Sequence, residues 1–406
     1  MRRADQARRE PVPAIVKRLG WVSFFTDAAT EMLYPLIPIF LTVTLGAPVA
    51  VVGVIEGLAD GISTGLKAAA GYVADRVHRN RLLVSVGYTV SALAKPVLAF
   101  SPGWWFVACA RVTDRFGKAV RGVPRDVMIA DAVEPAQRGR AFGYHRAMDT
   151  AGAVVGPLLA LVALLILGQD NLRPVFVLAF IPGLATIVLL RTLPRNDRPA
   201  GAAQWEPSPL PWRGPFGRYV LVLVVFGLGN SSDAFLLLRA RNLGLSTIQV
   251  ILAYALYNLA YAATSLPAGI RADRKGRLRV FRSGLLVFAL VYLGFALAPG
   301  AWAVWPLLGC YGLYMAATDG IGRAVVLDMV PDSIRGKALG VTQAVTGGAV
   351  LVAGVGAGVL WQAVSPAAPF VAGAAAAAGA WLLLAVPVAP PLAVPGGGPR
   401  NSSSGP

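Results

Sequence analysis

Asp27 and Glu31 stand four residues apart inside an otherwise apolar run, and Glu56 and Asp60 repeat that spacing in the next one. Residues four apart share one face of a helix, so each pair points two carboxylates the same way. In a low-dielectric setting two neighbouring carboxylates resist ionising together, and one of them keeping a proton is what a proton-carrying site needs. Charges of both signs follow: Lys67 in the second run, Lys95 in the third, Arg111, Asp114, Arg115 and Lys118 in the fourth, and Arg146 with Asp149 in the fifth. Asp27, Glu31, Asp60, Arg111, Asp114 and Arg115 are the proton-coupling candidates. Candidates for a polar substrate cavity are Tyr34, Glu56, Lys67, Lys95 and Asp149, joined by Asn230, Asp233, Asn258, Asp319 and Arg323 from the sparser second half. If the acids neutralise the bases in the fold, the site favours a neutral or cationic molecule. If the bases are left over, they suit a carboxylate or phosphate.

The elements that carry these residues follow from composition. Of 406 residues, 56% are hydrophobic and 14% charged, against about 25% charged in soluble domains. A soluble enzyme, a coiled coil and a disordered chain are excluded. The apolar residues come in blocks of about 20, long enough to cross a bilayer as helices, without the alternation of an outer-membrane barrel. Twelve such blocks are expected, six in residues 18–191 and six in 217–390, with an amino-terminal segment 1–17, a proline-rich linker 192–216 and a Gly/Ser/Pro-rich tail 391–406. The fold class is thus all-α and membrane-embedded.

A net charge of +17 would suggest nucleic acid in a soluble protein. With both termini cytoplasmic, however, most Lys and Arg fall in cytoplasmic segments, so the charge sets orientation and no nucleic-acid partner is expected. The clusters Arg76, Arg79, Arg81 and Arg271, Arg274, Lys275, Arg277, Arg279, Arg282 also suit anionic lipid headgroups. Cys109 and Cys310 lie in separate spans, and the only histidines are His78 and His145; neither a disulfide framework nor a metal site is expected. Without a Walker lysine loop, neither a nucleotide cofactor nor ATP drive is expected.

The halves repeat each other. At an offset of 198 residues Leu45-Gly46 matches Leu243-Gly244, Gly71 matches Gly269, and Asp75-Arg76 matches Asp273-Arg274; at 197, Asp131 matches Asp328 and Arg138-Gly139 matches Arg335-Gly336. The motif Gly71-x3-Asp75-Arg76-x2-Arg79 and its twin Gly269-x3-Asp273-Arg274-x-Gly276-Arg277 resemble the loop signature of the major facilitator superfamily. The resemblance covers essentially the whole chain and implies two pseudo-symmetric six-helix bundles with a substrate site between them, working by alternating access.

Carried over residue by residue, it makes Gly71, Asp75, Arg76, Gly269, Asp273 and Arg274 the conformational switch. Asp126 matches the companion acid at the end of the fourth span, which only the first copy then has. Gly143, Gly152, Gly156 and Pro157 look like the family's antiporter motif, with Ala160 in place of the last glycine. Arg111, Gly117 and Ala119 match a proton-linked motif in which Asp114 and Arg115 depart from the family pattern. The implied protein is a monomeric, non-enzymatic transporter of the plasma (inner) membrane. It exports a small organic molecule against a proton gradient, or alternatively works as a symporter or exchanger for an anionic metabolite.

Overall fold

The computed structural model describes residues 12–77, 79–134, 137–168, 171–193, 209–331 and 334–385. The side chains of residues 64, 65, 67–77 and 138–140, those of Lys67, Gly71, Asp75 and Arg76 among them, lie outside the described residues. So do most of the expected linker and the tail 391–406.

Among the described residues every regular element is helical. The first half holds α1 (Ala14–Leu33), α2 (Val49–Val77), α3 (Asn80–Val97), α4 (Trp104–Asp131), α5 (Arg138–Leu167), α6 (Leu172–Leu178) and α7 (Phe180–Arg191). The second holds α8 (Pro215–Gly229), α9 (Ala234–Asn242), α10 (Thr247–Lys275), α11 (Arg277–Leu297), α12 (Val304–Asp328), α13 (Arg335–Ala363) and α14 (Ala368–Leu383). Among the described residues seven segments are long and apolar enough to cross a membrane: α3 with the turn after it, α5, α6 with α7, α8 with α9, α10, α11 and α13. The expected count of twelve is not reached on length and composition. α1, α4 and α12 carry acids and bases that lower their apolar character, α14 has only 16 residues, and much of α2 lies outside the residues whose side chains are described.

The internal repeat is visible in local structure. Gly46 and Gly244 both take a left-handed φ, +64° and +104°, at matching turns where a Cβ would be strained. Each half also breaks its first helix at a matching place. α1 stops at Leu33, where Pro35 and Pro38 remove backbone donors, and a widened π turn at Phe40–Thr44 follows; α8 stops at Gly229 and resumes as α9 at Ala234. The start of α10 is fixed by a capping box, in which Gln249 N donates to Ser246 Oγ (3.3 Å) and Ser246 N to Gln249 Oε1 (2.8 Å).

Packing repeats in the same order. In the first half α1 lies on α5 and α7, α4 on α2 and α3, and α3 on α7; in the second, α8 lies on α13 and α14, α12 on α10 and α11, and α11 on α14. The most extensive contacts between the halves are α2 with α13 and α5 with α10. The interiors differ. The second half is filled by stacked and edge-on rings, with Phe288 and Tyr292 centroids 3.9 Å apart and Tyr311, Tyr314 and Phe370 around them. The first half buries Glu56, Lys95, Arg111, Asp114 and Arg115.

The α2/α13 crossing is a backbone-to-backbone contact. A Cβ on Gly354 would stand 2.9 Å from Gly53 O and 3.1 Å from Gly57 Cα, and one on Gly358 would stand 2.7 Å from Ala50 Cα. Small residues permit this approach and van der Waals contact holds it. The crossing lies at the far end of the bundles, away from the linker. We expect Gly354→Leu to prise that end apart. Spin labels on exposed Val43 and Val364 (62% and 69% accessible) should report a longer separation than in the parent, and an unchanged distance would remove the crossing from the closure.

Candidate functional site

The charges of the first half sort into neutralised and unneutralised groups. α3 and α4 approach closely at Gly87 and Gly117, where an added Cβ on Gly87 would meet Gly117 O at 2.6 Å. That register sets Ser91 and Lys95 over Asp114. Lys95 Nζ lies 3.2 Å from Asp114 Oδ1 and donates to Ser91 O (3.0 Å) and Oγ (3.1 Å), while Ser91 Oγ donates to Asp114. One turn along, Arg111 grips Glu56 with both prongs, Nε to Oε1 at 3.0 Å and an Nη to Oε2 at 2.5 Å. Arg115 Nε stands 3.4 Å from Asp60 Oδ1. The i,i+4 acids of α2 therefore meet the i,i+4 bases of α4 rung by rung.

Two sequence expectations change here. Glu56 and Asp60 do not act as a carboxylate pair sharing a proton, because each has its own guanidinium. Glu56 and Lys95, expected in the substrate cavity, are 1% and 3% exposed and belong to the interior of the first half.

What remains at the junction of the halves is acidic and aromatic. Glu31 Oε2 accepts from Tyr254 Oη at 2.5 Å, and Asp233 Oδ1 from Tyr311 Oη at 2.7 Å. Tyr34 stacks on Tyr254 with centroids 5.6 Å apart, has Arg111 over its ring at 5.6 Å, and brings its hydroxyl within 3.3 Å of Ser232 Oγ. Tyr34 and Ser232 are equivalent positions of the repeat, so the two helix breaks touch. Asn230 closes α8, its N–H donating to Phe226 O and Gly227 O. Asn258 is buried, and its Nδ2 has no hydrogen-bond partner among the described residues. Asp27 is half-buried and makes no hydrogen bond or ion pair among the described residues, and the same holds for exposed Lys118.

Towards the linker end a second polar group joins the halves. Arg146 on α5 lies 2.6 Å from Asp319 Oδ2 on α12, Tyr261 Oη donates to the same oxygen at 2.8 Å, and Arg323 reaches Asp319 Oδ1 at 2.9 Å. Arg146 and Arg323 are more than half exposed although they sit well inside their helices. Asp149 turns into the first half, with Oδ2 3.5 Å from His145 Nδ1, and His145 Nε2 in turn bonds Ser23 Oγ at 2.9 Å.

Sequence reasoning singled out Tyr34 and missed the other tyrosines. Tyr254, Tyr257 and Tyr261 share one face of α10 at the i, i+3, i+7 spacing, and that pattern was available.

Comparison with known proteins settles the family. The Major Facilitator Superfamily model matches residues 19–240 and 220–403. An uncharacterized MFS-type transporter of Methanocaldococcus jannaschii is 32% identical over 377 residues, covering 90% of this chain and 93% of that one. The chain belongs to the Major Facilitator Superfamily. It is therefore a multi-pass membrane protein of a transporter family. Multidrug resistance protein MdtH of Photorhabdus laumondii is 30% identical over 128 residues, 32% of each chain. The crystal structure of nucleoside transporter NupG superposes with a TM-score of 0.69 at 13% identity over 92% of this chain and 98% of that one, a likeness of fold.

The superfamily's loop signature reads differently in the structure than in the sequence. In the second copy Arg277 holds Asp273 (3.5 Å, one turn away) and Asp328 (2.7 Å) together. The second copy thus has a companion acid of its own, Asp328, and the expected restriction of that acid to the first half is corrected. Asp126 pairs with its neighbour Arg125 at 2.9 Å. No atom would crowd a Cβ on Gly269 or Gly143, whereas Gly152 and Gly156 of the antiporter-like stretch press α5 onto α1. A Cβ on Gly156 would stand 2.6 Å from Ala28 O and 2.9 Å from Glu31 Cβ.

Removing one partner of a buried pair leaves a bare charge. Glu56→Gln should cost about 3–5 kcal/mol through stranded Arg111 and lower the thermal midpoint in detergent, while Glu56→Leu with Arg111→Met should recover most of the loss. If the double variant melts as low as the single one, the pair is not what Glu56 contributes.

Proposed function

We propose that this protein is a secondary transporter that exports a small neutral or cationic organic molecule in exchange for protons, by alternating access between its halves. One observation carries the reading. Lys95, Arg111 and Arg115 each have an acid partner inside the first half, whereas Glu31 and Asp233, at the junction, are held by neutral tyrosine hydroxyls, Tyr254 on Glu31 and Tyr311 with Tyr257 on Asp233. A carboxylate on a hydroxyl can bind a proton or a cation without first breaking an ion pair, and the surrounding rings suit an apolar or cationic body.

In this reading Glu31 is the main proton carrier, with Asp27 one turn away on the same face. Tyr34, Asp233 and the unpartnered Asn258 amide contact the substrate, and Arg111, Asp114 and Arg115 hold the scaffold. Gly152 and Gly156 seat α5 against the Glu31 turn, so a shift of α5 moves the carboxylate. The group Arg146–Asp319–Tyr261 closes the linker end when the halves rock together, and the α2/α13 glycine crossing closes the far end. Twelve spans, cytoplasmic termini, the plasma (inner) membrane, monomeric action and drive by a proton gradient without any bound cofactor complete the proposal. The short stretch of likeness to a multidrug resistance protein supports export.

Lys118 supports a second reading. It is the described base of the first-half series that stays exposed and unpaired, so an anionic metabolite carried by symport or exchange would bind there. Transport in liposomes with an imposed pH gradient, over a panel of compounds, separates the two. The first reading predicts that Glu31→Gln abolishes uphill movement while sparing some gradient-free exchange, because a neutral side chain lets the helices rock but carries no proton; Lys118→Gln should leave transport within a few-fold of the parent. Loss of anion transport in Lys118→Gln with uphill transport kept in Glu31→Gln would establish the second.

A further inference from the structure

Where α10 gives way to α11 the chain makes a sharp turn at Gly276, whose φ is +95°. On one side of this corner Arg271 and Lys275 of α10 and Arg279 and Ser283 of α11 surround a recess of about 370 Å3. Both helices contribute at i,i+4 spacing, so the side chains converge from two walls. Arg271, Lys275 and Arg279 are exposed and make no ion pair or hydrogen bond among the described residues. The nearby acids do not serve them, since Asp273 and Asp328 are both held by Arg277. Three uncompensated bases and a hydroxyl around one recess form a site for a phosphate group.

The surroundings identify what carries the phosphate. Along α11 the stripe Arg279, Ser283, Leu286, Leu290 runs from base to hydroxyl to apolar residues that are 43% and 59% exposed. On α10, Ile270 and Leu266 next to Arg271 are 45% and 72% exposed. Polar head and apolar flank thus follow each other in the order of a phospholipid. Arg282, from the adjacent face of α11, lies over the ring of Trp381 at 4.2 Å, and a tryptophan at a helix end marks the headgroup level of a bilayer. We propose that this corner binds the headgroup of an anionic phospholipid in the linker-end leaflet, with Arg271, Lys275, Arg279 and Ser283 on the phosphate and the acyl chains along Leu266, Ile270, Leu286 and Leu290. The site is separate from the Glu31–Asp233 junction and does not depend on what that junction transports.

The test uses the full chain in detergent and counts bound molecules by native mass spectrometry, titrating phosphatidylglycerol, phosphatidylcholine with the same acyl chains, and glycerol 3-phosphate. Phosphatidylglycerol should bind at least about tenfold tighter than phosphatidylcholine, since each base near a headgroup favours an anion. Arg271→Gln with Lys275→Gln and Arg279→Gln should erase that preference. Arg279→Gln alone should weaken it several-fold, and Arg271→Lys with Arg279→Lys should keep most of it. Equal binding of the two lipids, or an anionic preference that survives the triple variant, would overturn the proposal. Displacement of phosphatidylglycerol by millimolar glycerol 3-phosphate would overturn it too, by assigning the recess to a soluble phosphate ester.

Discussion

An ion inside a membrane protein must meet a counter-ion or water, and the first half of this chain is arranged around that requirement. Desolvating a carboxylate or a guanidinium costs several kcal/mol, so an unpaired one is tolerated only where solvent, a hydroxyl or a ligand reaches it. The Glu56–Arg111, Asp60–Arg115 and Lys95–Asp114 contacts meet the condition within the half and fix the register of α2, α3 and α4. The second half has no comparable set among its described residues and relies on ring packing around Phe288, Tyr292 and Tyr311. One half is tied by charge and the other by aromatic contact, and Glu31 and Asp233, acids held by hydroxyls, lie at their junction.

This division gives the junction its chemistry. Glu31 reaches the second half through the Tyr254 hydroxyl, Asp233 is held within its own half by Tyr311, and the helix breaks beside them meet at Tyr34 and Ser232. Irregular backbone at membrane depth is stable where it borders a cavity or is covered by protein, and both breaks are of that kind. The same junction is crossed by the glycine contact of α2 with α13 at one end and by Arg146–Asp319 at the other. A motion that parts one and tightens the other exchanges access without disturbing the ion pairs inside the first half.

Much of this was legible in the sequence. The repeat, the paired turns at Gly46 and Gly244, the break near Pro35 and the four-residue spacing of the acids all follow from residue types and short distances along the chain. The pairing did not. Whether Glu56 meets Asp60 or Arg111 is decided by how α2 settles on α4, which depends on helix register and small residues far away in sequence. For the same reason Asp328 was not recognised as a companion of Asp273, since Arg277 joins them across two helices. The tyrosines of α10 were readable as a stripe, but a tyrosine stripe in an apolar helix reads first as packing, and only the partner carboxylate gives it another meaning.

The acids of the membrane interior divide into those neutralised by bases and those left without an opposite charge. A carbodiimide that partitions into membranes reacts with accessible protonated carboxyls and not with carboxylates locked in ion pairs, so peptide mass spectrometry of the treated protein measures the division directly. Glu31, Asp27 and Asp233 should be modified, with Glu56 and Asp114 left intact. Modification of Glu56 or Asp114 ahead of Glu31 would show that the division does not exist.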